Sequence, residues 1–251
     1  MKYISVEEGK MLPGLRLVLV KGMPSPWSLA ARAVFDLKGI EYAPVAQYVG
    51  RENAELMAWS GHSNAPVVAY NDERLLHTPE SIILLAERLK PRPALIPTDG
   101  KSRAFMFGLL RELVGENSLA WYRRIAAMGS SGQIDGREGM AHKYGFSNEQ
   151  LQIADQSCAN CLTLLSQTLS AQLKEGSEYM IGQSVTALDL YAAIFLTIMI
   201  KPVKNDHIPL SEMFFKIYGV TSAPIDTAFD KVLSDYRVRI LDQYVNTPMA
   251  Y

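Results

Sequence analysis

The pattern of apolar and polar positions changes character about a third of the way along the chain. Leu15-Arg-Leu-Val-Leu-Val20 is nearly all apolar, as expected of a strand buried on both faces. A turn cluster, Lys21-Gly-Met-Pro-Ser-Pro26, follows it. Leu29, Ala33, Val34 and Leu37 then recur at helical spacing, and Gly39 is placed to end that helix. Glu41–Tyr48 reads as a second strand, which Pro44 confines to an edge. Glu52–Trp59 is a short helix. Ala65–Tyr70 is a third strand, with Arg74–His77 as the return strand of a hairpin. Thr78-Pro-Glu-Ser81 opens a helix that runs through Leu89, with Thr78 as cap and Pro79 in the first helical position. The order is β-α-β-α-β-β-α.

Pro91, Pro93 and Pro97 then punctuate the chain as an interdomain linker, and strand signals stop. Lys101–Ala127 is helical by period. Gly129–Gly145 reads as a long loop. Ser147-Asn-Glu-Gln150 spells a capping box for a helix reaching about Lys174. Thr186-Ala-Leu-Asp189 begins another, and Leu190–Ile200 is apolar all round, hence buried. One or two more helices fit between Ser211 and Tyr244. Residues 1–14 carry no clear period and read as an N-terminal extension. The layout is α+β with two domains, over residues 15–90 and 101–251, the second all-α.

Composition adds mainly exclusions. The chain has 251 residues, 48% hydrophobic and 20% charged, within ordinary globular bounds. Lys and Arg number 25 against 26 Asp and Glu, a formal charge of −1, so bulk charge does not hold nucleic acid or an anionic membrane. Two cysteines exclude a disulfide scaffold and a four-cysteine zinc site. The first residues lack the basic and apolar regions of a signal peptide, and Leu190–Ile200 is short of the roughly 20 residues that cross a bilayer. The expectation is a soluble, cytoplasmic protein with no membrane or nucleic-acid partner and no metal.

Four segments in order resemble the cytosolic glutathione S-transferases over nearly the whole chain. Ser25-Pro-Trp-Ser28 with Arg32 is similar to the serine-type signature of the tau and zeta classes. Asn64-Ala-Pro-Val-Val68 resembles the segment with a cis-proline before the third strand. Glu80-Ser-Ile-Ile83 resembles the Glu-Ser-x-x-Ile element. Ile181-Gly-Gln-Ser-Val-Thr-Ala-Leu-Asp189 resembles the glycine, capping box and buried helix of the helical domain. The resemblance implies a thioredoxin-like N-terminal domain, a helical-bundle C-terminal domain, glutathione as cosubstrate, a small hydrophobic electrophile as second substrate, a detoxifying role and a homodimer.

It also implies roles. A thiol with a pKa of about 8.5 is mostly protonated at neutral pH, and a hydroxyl donor at a helix N-terminus favours its ionised form. Ser25 would be that catalytic donor, with Ser28 as the fallback; a plain turn or cap serine is the alternative. Ala65 and Pro66 would pair with the cysteinyl backbone of glutathione through a cis bond, against the alternative of a trans proline opening a strand. Glu80 and Ser81 would hold the γ-glutamyl end, although a carboxylate in a first turn is common without any ligand. Ser63 and Asn64 stand where serine-type members carry basic residues, and His62 would substitute in holding the glycyl carboxylate. Trp27, Trp121, Tyr122 and Arg124 would line the second-substrate pocket, or else form an aromatic pair with solvated arginines. The alternatives to a transferase are a non-catalytic binding or interaction protein of the same fold, and a glutathione-dependent isomerase or ether-cleaving enzyme.

Three other signals lead elsewhere. Cys158-Ala-Asn-Cys161 falls mid-helix, where the two thiols share a face and pack in a core. Gly100-Lys-Ser102 lacks the earlier glycine and strand of a phosphate loop. His62, His77, His142 and His207 have no metal-ligand spacing.

Overall fold

The computed structural model describes residues 1–130 and 147–251. The chain divides into two compact units. One comprises Met1–Leu95, Asn205–Pro209 and Tyr244–Tyr251; the other comprises Ile96–Lys204 and Leu210–Gln243.

The first unit is built on a three-stranded sheet of order β2-β1-β3, with β1 Leu15–Val20, β2 Ala43–Gln47 and β3 Val67–Tyr70. β1 is central and buried along its whole length, which is why its sequence does not alternate. It runs parallel to β2 and antiparallel to β3. Pro44 does sit on the edge strand. Its carbonyl accepts from Ile4 N–H at 3.0 Å, and Ile4 in turn pairs with Val45. The N-terminal segment is therefore ordered. Helix α1, Val6–Met11, is fastened by a reciprocal box in which Ser5 Oγ accepts from Glu8 N–H and Glu8 accepts from Ser5 N–H at 2.7 Å. Gly9 lets this helix lie on β2, since a Cβ there would meet Val45 Cγ2 at 2.8 Å.

Helices α2 Pro26–Leu37, α3 Ala54–Ser60 and α4 Pro79–Leu89 complete the unit. Gly39 ends α2 with φ +59°. The expected return strand of the hairpin reduces to one bridge, Val68 with Leu76. Pro79, two residues beyond His77, starts a helix and has no N–H to extend the ladder. The proline-rich stretch is pinned at its start. Lys38, its side chain wholly buried, pairs with Glu87 at 2.6 Å and donates to the carbonyls of Lys90 and Pro93. Glu87 also accepts from Leu95 N–H.

The second unit is helical: α5 Gly100–Val114, α6 Leu119–Ser130, α7 Asn148–Lys174, α8 Ala187–Met199, α9 Glu212–Tyr218, α10 Ala223–Ala228 and α11 Lys231–Tyr244, whose last residue counts with the first unit. The single helix expected over Lys101–Ala127 is two. The chain leaves the helix at Gly115, and Asn117 takes φ +58° before Ser118 restarts it. Three helices, not one or two, follow Ser211; Gly219 and Pro224 mark the first break and Asp230, which accepts from Leu233 N–H, the second. Apart from Gly129 and Ser130, which close α6, the expected loop Gly129–Gly145 lies outside the described residues. Helix α8 is buried at every position, which accounts for its all-round apolarity. Helices α6 and α10 pack on α7, and α5 and α9 on α8.

Candidate functional site

Strand register brings three of the sequence-predicted segments to one end of the sheet. Val67 pairs with Val18 in an antiparallel ladder. Ala65 and Pro66 directly precede β3, at the end of the sheet where β1 runs on from Val18 to Val20 and the turn to Ser25 begins. Leu76 pairs with Val68, also antiparallel, so the chain from there to Thr78, the cap of α4, heads toward the same end. This end holds the carboxyl terminus of β1, the usual location of ligands on open α/β sheets.

Ser25 is the N-cap of α2. Its backbone carbonyl accepts from Leu29 N–H at 2.9 Å, and its side chain makes no capping hydrogen bond. Pro26 fills the first helical position. The hydroxyl therefore sits at the positive end of a helix without the local duty that cap serines ordinarily perform. Ser28 is different. It is buried, and its Oγ accepts from Val20 N–H at 3.1 Å, joining α2 to the last residue of β1. Trp27, half-buried, lies between them.

The peptide bond Ala65–Pro66 is cis, as the resemblance implied. The loop before it is held from β2. Gln47 is buried, and its Nε2 donates to Ser63 O at 3.2 Å and Tyr48 O at 3.1 Å, while its Oε1 has no hydrogen-bond partner among the described residues. Asn64 is exposed and Ala65 half-buried.

At the start of α4, Thr78 Oγ1 accepts from Ser81 N–H at 3.2 Å, and Ser81 Oγ donates to Thr78 O at 2.9 Å. Both Ser81 donors expected to receive a carboxylate are thus engaged by Thr78. Glu80, half-buried, stands in the first turn.

In the sequence, His62 and His77 are near one another without metal-ligand spacing. Their rings lie against one another in a tilted arrangement, with centroids 3.6 Å apart and planes inclined at 36°. Ser60 Oγ holds the backbone of His62, accepting from its N–H and donating to its carbonyl. Burial, then the neighbouring His62 and Arg74, lower the pKa of His77 below the ordinary histidine value.

In the second unit, the Arg124 guanidinium lies over the Trp121 ring at 5.8 Å, and Tyr122 is half-buried. Arg123 is buried rather than solvated. It donates to the carbonyls of Met199, Tyr218 and Val220 and ties α6 to the end of α8 and to α9. Cys158 and Cys161 are buried free thiols pushed up to about 12 by burial, which removes them from nucleophilic or redox chemistry at neutral pH. Among the described residues no cluster of three or more His, Cys, Asp or Glu stands ready for a metal, and no helix is long and apolar enough to cross a membrane.

Comparison with known proteins identifies the architecture. No family model matches the chain, and no curated protein matches it. Solved structures do. The tau class glutathione S-transferase of mango, Mangifera indica, aligns over 92% of this chain and 90% of its own at 18% identity with a TM-score of 0.60. A glutathione transferase family member from Pseudomonas fluorescens, with two glutathione molecules bound, aligns over 95% and 94% at 11% identity and a TM-score of 0.66. Ure2p in complex with glutathione aligns over 92% and 91% at 12% identity, also with a TM-score of 0.66. The chain has the glutathione-transferase fold, a thioredoxin-like unit with a helical unit.

Proposed function

We propose that this protein is a serine-type glutathione transferase. Ser25 donates a hydrogen bond to the glutathione thiolate, the backbone of Ala65 pairs with the cysteinyl segment beside Pro66, and Glu80 with the first turn of α4 takes the γ-glutamyl end. The observation that carries this reading is the Ser25 hydroxyl. It stands at the start of α2 with no capping bond, at the end of the sheet where Ala65 and the α4 cap also converge. Its work is electrostatic. It stabilises a charge that forms on sulfur, and takes no part as base or nucleophile. The second substrate is a small hydrophobic electrophile. Glutathione supplies the nucleophile, in keeping with the inert cysteines of the chain. The protein acts in the cytoplasm as a homodimer. The same residues would serve glutathione-dependent isomerisation or ether cleavage.

A second reading, a non-catalytic binding module of the same fold, draws on the engagement of both Ser81 donors by Thr78. Calorimetric titration with glutathione, followed by conjugation to a panel of electrophiles by wild type and Ser25→Ala, separates the two. The transferase reading expects binding, turnover, and loss of turnover in the variant. Binding without turnover of any electrophile selects the module. No binding removes the transferase and leaves the module.

A further inference from the structure

We propose that the cleft between the N-terminal segment, the end of β2 and the start of α3 binds a small aromatic acid, with the acidic group on Lys21 and the ring against Tyr3 and Tyr48. The cleft measures about 200 Å³ and is lined entirely by residues of the first unit. Ile4, Ala46 and the buried Leu56 give it an apolar side. Tyr3, Tyr48 and Lys21 line it as well, and the Lys21 ammonium stands 5.8 Å from the centroid of the Tyr3 ring and 5.9 Å from that of Tyr48. The volume is below the roughly 300 Å³ at which clefts begin to take drug-sized ligands, so one ring with one acidic group is the fitting size.

Charge gives the sign of the ligand. Among the described residues no ion pair engages Lys21, and none engages Arg51, whose guanidinium lies 4.6 Å from the Tyr48 centroid. Two cations therefore meet at one ring, and Glu55 is the one carboxylate in the cleft lining. Ring faces attract an ammonium without using its hydrogen-bond donors, so an incoming acid finds Lys21 held in place and still able to donate. The walls are set by the backbone. Asn53 stands at the cap position of α3 with φ +52° and makes no side-chain cap. Its side chain instead accepts from Tyr48 N–H at 3.2 Å and donates to the carbonyls of Tyr48 and Arg51, both at 2.9 Å. Lys21 N–H donates to Gln47 O at 2.9 Å, and the pairing of Ile4 with Val45 carries Tyr3. A site held in this way spends little on ordering when a ligand binds.

Phenyl phosphate is the probe. Calorimetric titration of the full chain is expected to show one saturable site that persists in saturating S-methylglutathione. Inorganic phosphate and benzyl alcohol, which carry the charge and the ring separately, should each bind at least about tenfold more weakly. Lys21→Met keeps the apolar stem without the charge and should weaken binding about tenfold. Tyr3→Leu, at wild-type thermal stability, should weaken it about threefold. In wild-type protein, transferred Overhauser effects should connect the probe ring protons to tyrosine ring protons, a readout that needs no variant. No saturable binding, inorganic phosphate binding as tightly as the probe, displacement by S-methylglutathione, or affinity undiminished in both Lys21→Met and Tyr3→Leu overturns the site and leaves the glutathione reading untouched.

Discussion

Two helices of this protein begin in opposite ways. At the start of α8, the cap is closed by a buried side chain. The fully buried Asp189 carboxylate accepts from Met180 N–H at 2.9 Å, Thr186 N–H at 2.8 Å, Thr186 Oγ1 at 2.7 Å and Tyr236 OH at 2.7 Å. At the start of α2, Ser25 makes no side-chain cap at all. A buried network of the first kind stabilises and specifies a fold, and leaves nothing for a ligand. The open cap of the second kind forgoes that local stabilisation and keeps a donor available. On this contrast, the Asp189 network serves stability, and the open cap at Ser25 is the one to which the proposed chemistry is assigned.

Substitutions test the contrast from both sides. Asp189→Ala strands buried N–H and hydroxyl donors and should cost about 3–5 kcal/mol in denaturant unfolding, a loss visible as a lower midpoint with the slope preserved. Ser28→Ala leaves Val20 N–H without its acceptor, and about 1–3 kcal/mol is expected from the same experiment. Ser25→Ala should change stability by less than about 0.5 kcal/mol, below the roughly 1 kcal/mol usual for a cap, while abolishing turnover. A Ser25→Ala loss as large as that of Ser28→Ala would erase the distinction between an open and a closed cap. The smallest effect concerns pH. Because the His77 pKa is lowered on folding, its favourable contribution is complete above about pH 6.5 and is lost as the pH falls through the lower folded value. Thermal unfolding from pH 7.5 downward should show this decline, and His77→Gln should flatten it.

The sequence carried the elements better than their joints. β1 and α8 announced themselves because burial on all sides leaves an unbroken apolar run. The turn at Gly115 was hidden. Met106, Leu109, Leu110 and Leu113 before it and Leu119 and Ala120 after it sustain an apolar pattern, while the break lies in the backbone of Asn117. Helix α1 was missed for the opposite reason. It is too short to show a period, although Ser5-Val-Glu-Glu8 spells its capping box. Of the site, the cap position of Ser25 was readable from the local pattern, and the cis bond at Ala65–Pro66 only from the family resemblance. The engagement of Ser28 with Val20, of Ser81 with Thr78, and of His62 with His77 was not, because each depends on which neighbour the fold delivers to a side chain that spacing alone leaves free.

The central claim is that Ser25 stabilises the thiolate of bound glutathione. Titrating the ultraviolet thiolate band of the glutathione complex tests it most directly. The account predicts a bound thiol that ionises well below the free value of about 8.5 in wild type, and that returns toward it in Ser25→Ala with S-methylglutathione affinity unchanged. A bound thiol that titrates like the free one, or a lowered value that survives the loss of the Ser25 hydroxyl, would contradict it.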